Sequence, residues 1–490
     1  MTYSLTLGAT DSAPVAVPAK FLNRHGLITG ATGTGKSVSL MGMAEAFQRL
    51  GVPSIVTDVK GDLSGLAAAS SATTDKGRNI APWYPEAAAV RLWDVFATQG
   101  EPLRASIADM GAPLAARALG LSDAQCGVLE VAFAVAADEG VPLHTLADLR
   151  DVVTHCSDNR ATVGTRYGLV TPSSVAGIGR AILRLERGGG AEFFDGRAVD
   201  VREFLNGRTV HLLDCVKLIR EPRLYGAVLL WLLDALGRVL PEVGDCELPK
   251  LALFFDEAHL LFTDCPPDVL RAVEQTVRLI RSKGVGVYFA SQSPSDVPDG
   301  IARQLSLRVQ HALRAVTPRD RGLLRAAADS LPAGVGFKVH EAIGTLPPGD
   351  ALVTFMGADG KPTATQIVHM QLPRCRLSPL SDTERAALMA VTNPIPKPVT
   401  QPLPIAPVKP QPLPTPARPH GGRSLHWLEK VGLGFGLLLA LIPLAVGLNA
   451  FAIGHPLVGV VACVVGVGLW AGLSNIAMKI TRPARMPTGH

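Results

Sequence analysis

Seven cysteines are scattered through this 490-residue chain without a single CxxC pair, and the net charge is only +5. An odd, dispersed set of thiols argues against a disulfide framework or a zinc knuckle and for a reducing, cytosolic setting. So small a net charge does not by itself announce a nucleic-acid binder. The opening MTYSLTLGATDSAP lacks both the basic start and the apolar core of a secretion signal. One further absence is local: residues 431–478 contain no Asp, Glu, Lys or Arg.

What is present begins with residues 30–37, GATGTGKS, preceded by the strand-like RHGLIT and followed by SVSLMGMAEAFQRL, whose apolar residues recur at helical spacing. A glycine-rich turn from strand to helix lets backbone N–H groups close around phosphates, with the helix N-terminus adding partial positive charge. The spacing assigns Gly30, Ala31, Thr32, Gly33, Thr34, Gly35, Lys36, Ser37 and Val38 to a nucleoside triphosphate. Lys36 is expected to reach the β- and γ-phosphates, and the Ser37 hydroxyl to ligate Mg²⁺.

Hydrolysis also needs a carboxylate for the metal and a group that orients water. PKLALFFDEAH (249–259) supplies an apolar strand ending in Asp256, the metal candidate, and Glu257, the candidate base. The letters DEAH coincide with a helicase signature whose other motifs are not evident. His259 is therefore either a γ-phosphate sensor or a structural loop residue. Gln292, just past the strand VGVYFAS, is placed to contact the γ-phosphate. Asp58, at the end of SIVTD, is placed to touch the metal or its surroundings. Arg278, Arg281, Arg314 and Arg319 are candidates for a cation supplied to a neighbouring subunit, with Arg281 the first choice.

Apolar runs with little alternation, separated by helices, predict an α/β fold with a mainly parallel sheet covered on both faces. The expected organisation is a lead-in (1–25), a first part of the core (26–99), a helical insertion (100–190) and a second part of the core (191–392). Eleven prolines within residues 394–419 then mark a linker (393–422) in extended polyproline conformation. Such a tether reaches on the order of 80 Å. The charge-free block splits at Gly454–His455 into two runs, each longer than the ~20 residues that cross a bilayer. Arg423 and Lys430 precede the pair, and Lys479, Arg482 and Arg485 follow it. Basic flanks at both ends predict a C-terminal transmembrane hairpin within 423–490, with both ends and the ATPase domain on the cytoplasmic side of the membrane.

Taken together, RHGLITGATGTGKS, VTDVKGDLSG, PKLALFFDEAHLLF, VRLIRSKGVGVYFASQSPSDVP and LRVQHALRAVTPRD resemble the HerA/FtsK superfamily, in particular its YjgR-type HerA-like ATPases. The resemblance spans most of residues 20–375. It implies a RecA-type P-loop core, ATP and Mg²⁺ as cofactors, hexameric rings, and ATP hydrolysis coupled to movement of DNA, with any partner nuclease unidentified. It matches Lys36 and Ser37 to Walker A, Asp256 and Glu257 to Walker B, and Gln292 to the sensor glutamine. Two departures stand out: 25 leading residues are too few for the N-terminal β-barrel of HerA, and a C-terminal membrane hairpin is not part of the superfamily pattern. The competing reading is a membrane-associated switch or assembly ATPase acting on protein partners without DNA. A small-molecule kinase is disfavoured, because no lid with clustered arginines is evident.

Overall fold

A computed structural model describes residues 3–72, 83–244, 246–263, 267–315 and 317–392. The expected proline linker and membrane hairpin lie outside these residues. Among the described residues no helix is long and apolar enough to cross a membrane.

The chain opens with a hairpin, β1 (Ser4–Ala9) and β2 (Pro14–Pro18). Residues 1–25 are therefore more than the expected lead-in. Leu5, Leu7, Val15 and Val17 alternate into the core, and β1 pairs antiparallel with a strand some 360 residues away. Next come β3 (Gly26–Thr29), the glycine-rich turn, α1 (Lys36–Arg49), β4 (Ser54–Asp58), β5 (Val90–Asp94) and β6 (Glu101–Pro102).

The insertion follows as α2 (Ile107–Leu119), α3 (Asp123–Glu139), α4 (Leu146–Asp158), α5 (Arg160–Arg166), α6 (Pro172–Leu185) and the single turn α7 (Ala191–Phe193). Capping boxes at Ser106–Asp109, Ser122–Gln125 and Thr145–Asp148 satisfy the first amides of α2, α3 and α4, so these starts are written locally.

Alternation resumes with β7 (Val210–Asp214), α8 (Pro222–Val239), β8 (Leu251–Phe255), α9 (His259–Thr263), α10 (Pro267–Ile280) and β9 (Val285–Ser291). The described chain finishes with α11 (Asp299–Ala302), β10 (Leu307–Gln310), α12 (Pro318–Asp329), α13 (Val339–Thr345), β11 (Asp350–Thr354), β12 (Gln366–Met370) and α14 (Asp382–Thr392).

Among the described residues the strands form one twelve-stranded sheet, in the order β2-β1-β12-β11-β10-β3-β9-β8-β4-β7-β5-β6. From β10 to β6 every pairing is parallel; from β10 back to β2 every pairing is antiparallel. Burial on both faces explains why the central strands read as unbroken apolar runs. One face, through Ile28, Val56 and Phe254, packs on Leu40, Met41 and Phe47 of α1. The other, through Leu27, Ile55 and Leu253, joins a core shared with α8 and the insertion helices. The insertion is thus an extension of the sheet's own core.

Register decides where chemistry can occur. Thr29 pairs with Ser291, Phe255 with Phe289, and Thr57 with Phe255. The segments after β3, β9, β8 and β4 consequently leave the sheet along one edge. β9 separates the P-loop strand from the acidic strand.

Candidate nucleotide site

The P-loop is held from two directions. Ala31 N–H donates to Ala312 O at 2.8 Å, and Gly349 N–H donates to Thr34 O at 3.0 Å. Gly30 has φ 155° and Gly35 φ 118°. A Cβ on Gly30 would meet Cβ of His311 at 2.5 Å, so no larger residue fits there without displacing the neighbouring strand end. α1 begins directly after Gly35, which aims its free amides at the loop.

Lys36 is only 6% exposed, and its ammonium donates to Gly30 O at 2.7 Å and Ala31 O at 3.3 Å. Burial pushes its pKa below the ordinary value; the charges of Glu257 and Asp256 pull the other way. Those two acids follow β8 in a tight turn secured by Asp256 N–H to Thr57 Oγ1 (3.1 Å) and Ala258 N–H to Ala290 O (2.7 Å). The structure thus brings Lys36, Asp256 and Glu257 into one electrostatic neighbourhood.

Burial and the adjacent Glu257 charge raise Asp256 to about 6. Its Oδ2 is buried with no hydrogen-bond donor, as is Oδ1 of Asp62. Orphaned oxygens on two acids whose charges act on each other, Asp256 and Asp62, with Ser37 half-buried at the start of α1, fit a hard cation such as Mg²⁺. Among the described residues no group of three or more His, Cys, Asp or Glu forms a complete metal cage.

Glu257 is the more unusual acid. Its φ is +45°, left-handed for a residue with a side chain. Oε1 accepts from Lys60 Nζ, and Oε2 lies 3.2 Å from His259 Nδ1. Burial opposes its ionisation, but Lys60, Lys36 and His259 outweigh burial and hold its pKa below the usual value.

Other candidates are placed differently. Gln292 is exposed and lines a cleft of ≈ 440 Å³ together with Ala31, Thr32, His259 and Arg314. Arg314 is tethered there, Nη1 donating to Gly344 O at 3.1 Å. Asp58 turns its oxygens to the amides of Gly61 (2.6 Å) and Leu63 (3.0 Å), so the carboxylate that was a metal candidate braces its own turn. Arg281 is exposed just ahead of β9, at the opposite end from Gln292. Seven residues of strand put it about 23 Å from its own chain's cleft. Arg278 on α10 and Arg319 on α12 are exposed as well.

Sequence reasoning passed over Lys60, Asp62 and His311. The first two sit in VTDVKGD, where two more charged residues behind Asp58 were the available signal. His311, wholly buried, underlies the P-loop: Nδ1–H donates to Asp350 O at 2.9 Å, which leaves Nε2 to accept from Ser39 Oγ at 2.9 Å. Burial lowers its pKa to about 4 and keeps the ring neutral.

Residues 4–399 match the family described as helicase HerA-like C-terminal. The chain belongs to that family. This HerA-like chain is also similar in fold to solved structures. One is the bacterial conjugative coupling protein TrwBdeltaN70 in an unbound form: TM-score 0.51 and 16% identity, covering 75% of this chain and 90% of that one. Another is the plasmid coupling protein TrwB with the non-hydrolysable GTP analogue GDPNP: TM-score 0.52 and 16% identity, covering 76% and 94%. At such identity the likeness is one of fold. A comparison with curated proteins finds no match.

Proposed function

We propose that this HerA-like chain is an ATP-hydrolysing, Mg²⁺-dependent motor that assembles into rings and couples hydrolysis to DNA translocation while tethered to the cytoplasmic membrane. The observation that carries the catalytic part is the meeting of Lys36, Asp256 and Glu257 at one sheet edge. The loop amides and the Lys36 ammonium bind the β- and γ-phosphates. Ser37 and Asp256 hold Mg²⁺, which when bound supplies charge neutralisation on the phosphates. Glu257 orients the attacking water, and Gln292 lies across the cleft to report the state of the γ-phosphate. A cation from a neighbouring subunit, with Arg281 the first choice, completes the charge balance.

Membership in a helicase family favours DNA as the polymer. Grip on its backbone is expected to be electrostatic and to weaken with salt. The membrane tether rests on the charge-free pair of runs at 431–478 and its basic flanks.

The test is ATP turnover by the full chain in detergent or vesicles, with and without single- and double-stranded DNA across a salt series. Lys36→Ala is expected to abolish binding. Glu257→Gln is expected to retain binding and lose about 10²–10⁴-fold in turnover. DNA that neither binds nor stimulates would remove the translocase reading and leave a switch acting on protein partners.

A further inference from the structure

We propose that Lys60 is a positioning residue that locks Glu257 out of service until its ammonium is drawn away. The inference rests on the ATP-hydrolysis reading above and adds a regulator to the same site. Lys60 reaches Glu257 from the turn after β4, across 197 residues of sequence, and takes Oε1. His259, one residue beyond the next, stands at Oε2. Oε2 is buried without a hydrogen bond, which leaves Oε1 to align water; the ammonium already holds Oε1, so the arrangement shown is an idle one.

The two partners of the lock differ in freedom. The Glu257 side chain is 3% exposed and sits on a strained left-handed backbone, which fixes its direction. The Lys60 side chain is 42% exposed on a long flexible stem. The ammonium can swing away; the carboxylate cannot follow it. Every other charged group around the pair is more deeply set: Lys36 in the P-loop, and Asp256 on the Glu257 turn. Asp62, in the Lys60 turn, offers a buried oxygen without a donor, and its charge acts on Lys60. It is an alternative seat for the ammonium. Moving Lys60 from Glu257 toward Asp62 or toward an incoming γ-phosphate frees Oε1 for water without moving the acid. No bond is made or broken in this step; one hydrogen bond is exchanged for another.

The experiment compares wild type, Lys60→Met, Lys60→Arg, Glu257→Gln and the Lys60→Met/Glu257→Gln double variant. Steady-state ATP turnover and binding of a fluorescent ATP analogue are both measured. Lys60→Met is expected to raise kcat several-fold in the absence of DNA, with KM little changed. Lys60→Arg, which keeps a cation on Oε1, is expected to return to the wild-type rate. In urea unfolding, the two single substitutions are expected to be non-additive in the double variant, because they break the same pair. A fall in kcat of about tenfold in Lys60→Met would overturn the proposal and make the ammonium a catalytic cation instead. An unchanged kcat, or strict additivity in unfolding, would overturn it as well. Failure of the underlying reading looks different: wild type itself would not turn over ATP, and the unfolding cycle would still report whether the pair exists.

Discussion

Four neighbouring parallel strands, β8, β4, β7 and β5, deliver an aspartate each to the same edge of the sheet, and the four carboxylates meet different fates. Asp58 lies opposite Asp214, which lies opposite Asp94, and Asp256 follows the residue paired with Thr57. In sequence they are alike: an apolar run closed by an acid. Asp94 is wholly consumed by its turn, accepting from the amides of Phe96, Thr98 and Gln99 and from the Thr98 hydroxyl. Asp58 accepts two amides, and Asp214 accepts Val216 N–H with Arg385 3.8 Å away. Asp256 keeps Oδ2 buried and undonated. The chain after the strand makes the difference. Loops that double back bind the acid with their amides, whereas the tight turn after Asp256 leaves Oδ2 with no donor.

The comparison can be broken most sharply at its two extremes. Asp256→Asn is expected to lower ATP turnover by about 10³-fold, the scale of losing a metal anchor or a preorganised charge at the transition state. Its melting temperature is expected to stay near or above that of wild type, because a desolvated charge is removed. Asp94→Ala is expected to do the reverse. Leaving three turn amides without an acceptor costs about 3 kcal/mol in denaturant unfolding, while turnover per folded molecule is kept. If Asp94→Ala silenced turnover without lowering stability, the distinction between braced and available acids would collapse.

Asp58 sharpens the picture through pH. Burial, followed by the charges of Asp62 and Asp214, raises its pKa to about 7, above the unfolded value of 3.8. A carboxyl whose folded pKa is raised binds its proton more tightly when folded. Its stabilising share is therefore present below about pH 4 and is lost as pH rises through about 7. Asp58→Asn is expected to remove that decline, read as a flatter dependence of urea midpoint on pH between about 4 and 7. The smallest effect is expected at Asp214→Ala, about 1 kcal/mol for a single amide and a loose ion pair.

Much of this arrangement was legible in the chain. The glycine turn between RHGLIT and SVSLMG, and the apolar runs LALFF and VGVYFAS, specify strands by composition alone. The two-sided sheet follows from their lack of alternation. The hairpin at β1 and β2 was not legible, because SLTLGA and PVAVP are short, the second begins and ends in proline, and β1 finds its other neighbour only at residues 366–370. Lys60 was hidden for a similar reason. Nothing in VTDVKGD says that its lysine faces an acid 197 residues away, since that pairing exists only once β4 lies beside β8. His311 reads as one polar residue after an apolar strand, and only packing places it beneath the phosphate turn. Arg281 was offered as a cation for a neighbouring subunit, and the fold sets it at the far end of β9 from its own chain's cleft.

The terminal hairpin has a practical consequence. β1 hydrogen-bonds β12, and the Leu5, Leu7, Val15 and Val17 side chains cover the same core as Phe47 of α1. An expression clone trimmed to start at the glycine-rich turn would leave β12 with a row of unsatisfied amides and carbonyls beside a bared apolar strip. Such a rim templates self-association, so a shortened chain would be expected to precipitate before its chemistry could be assayed.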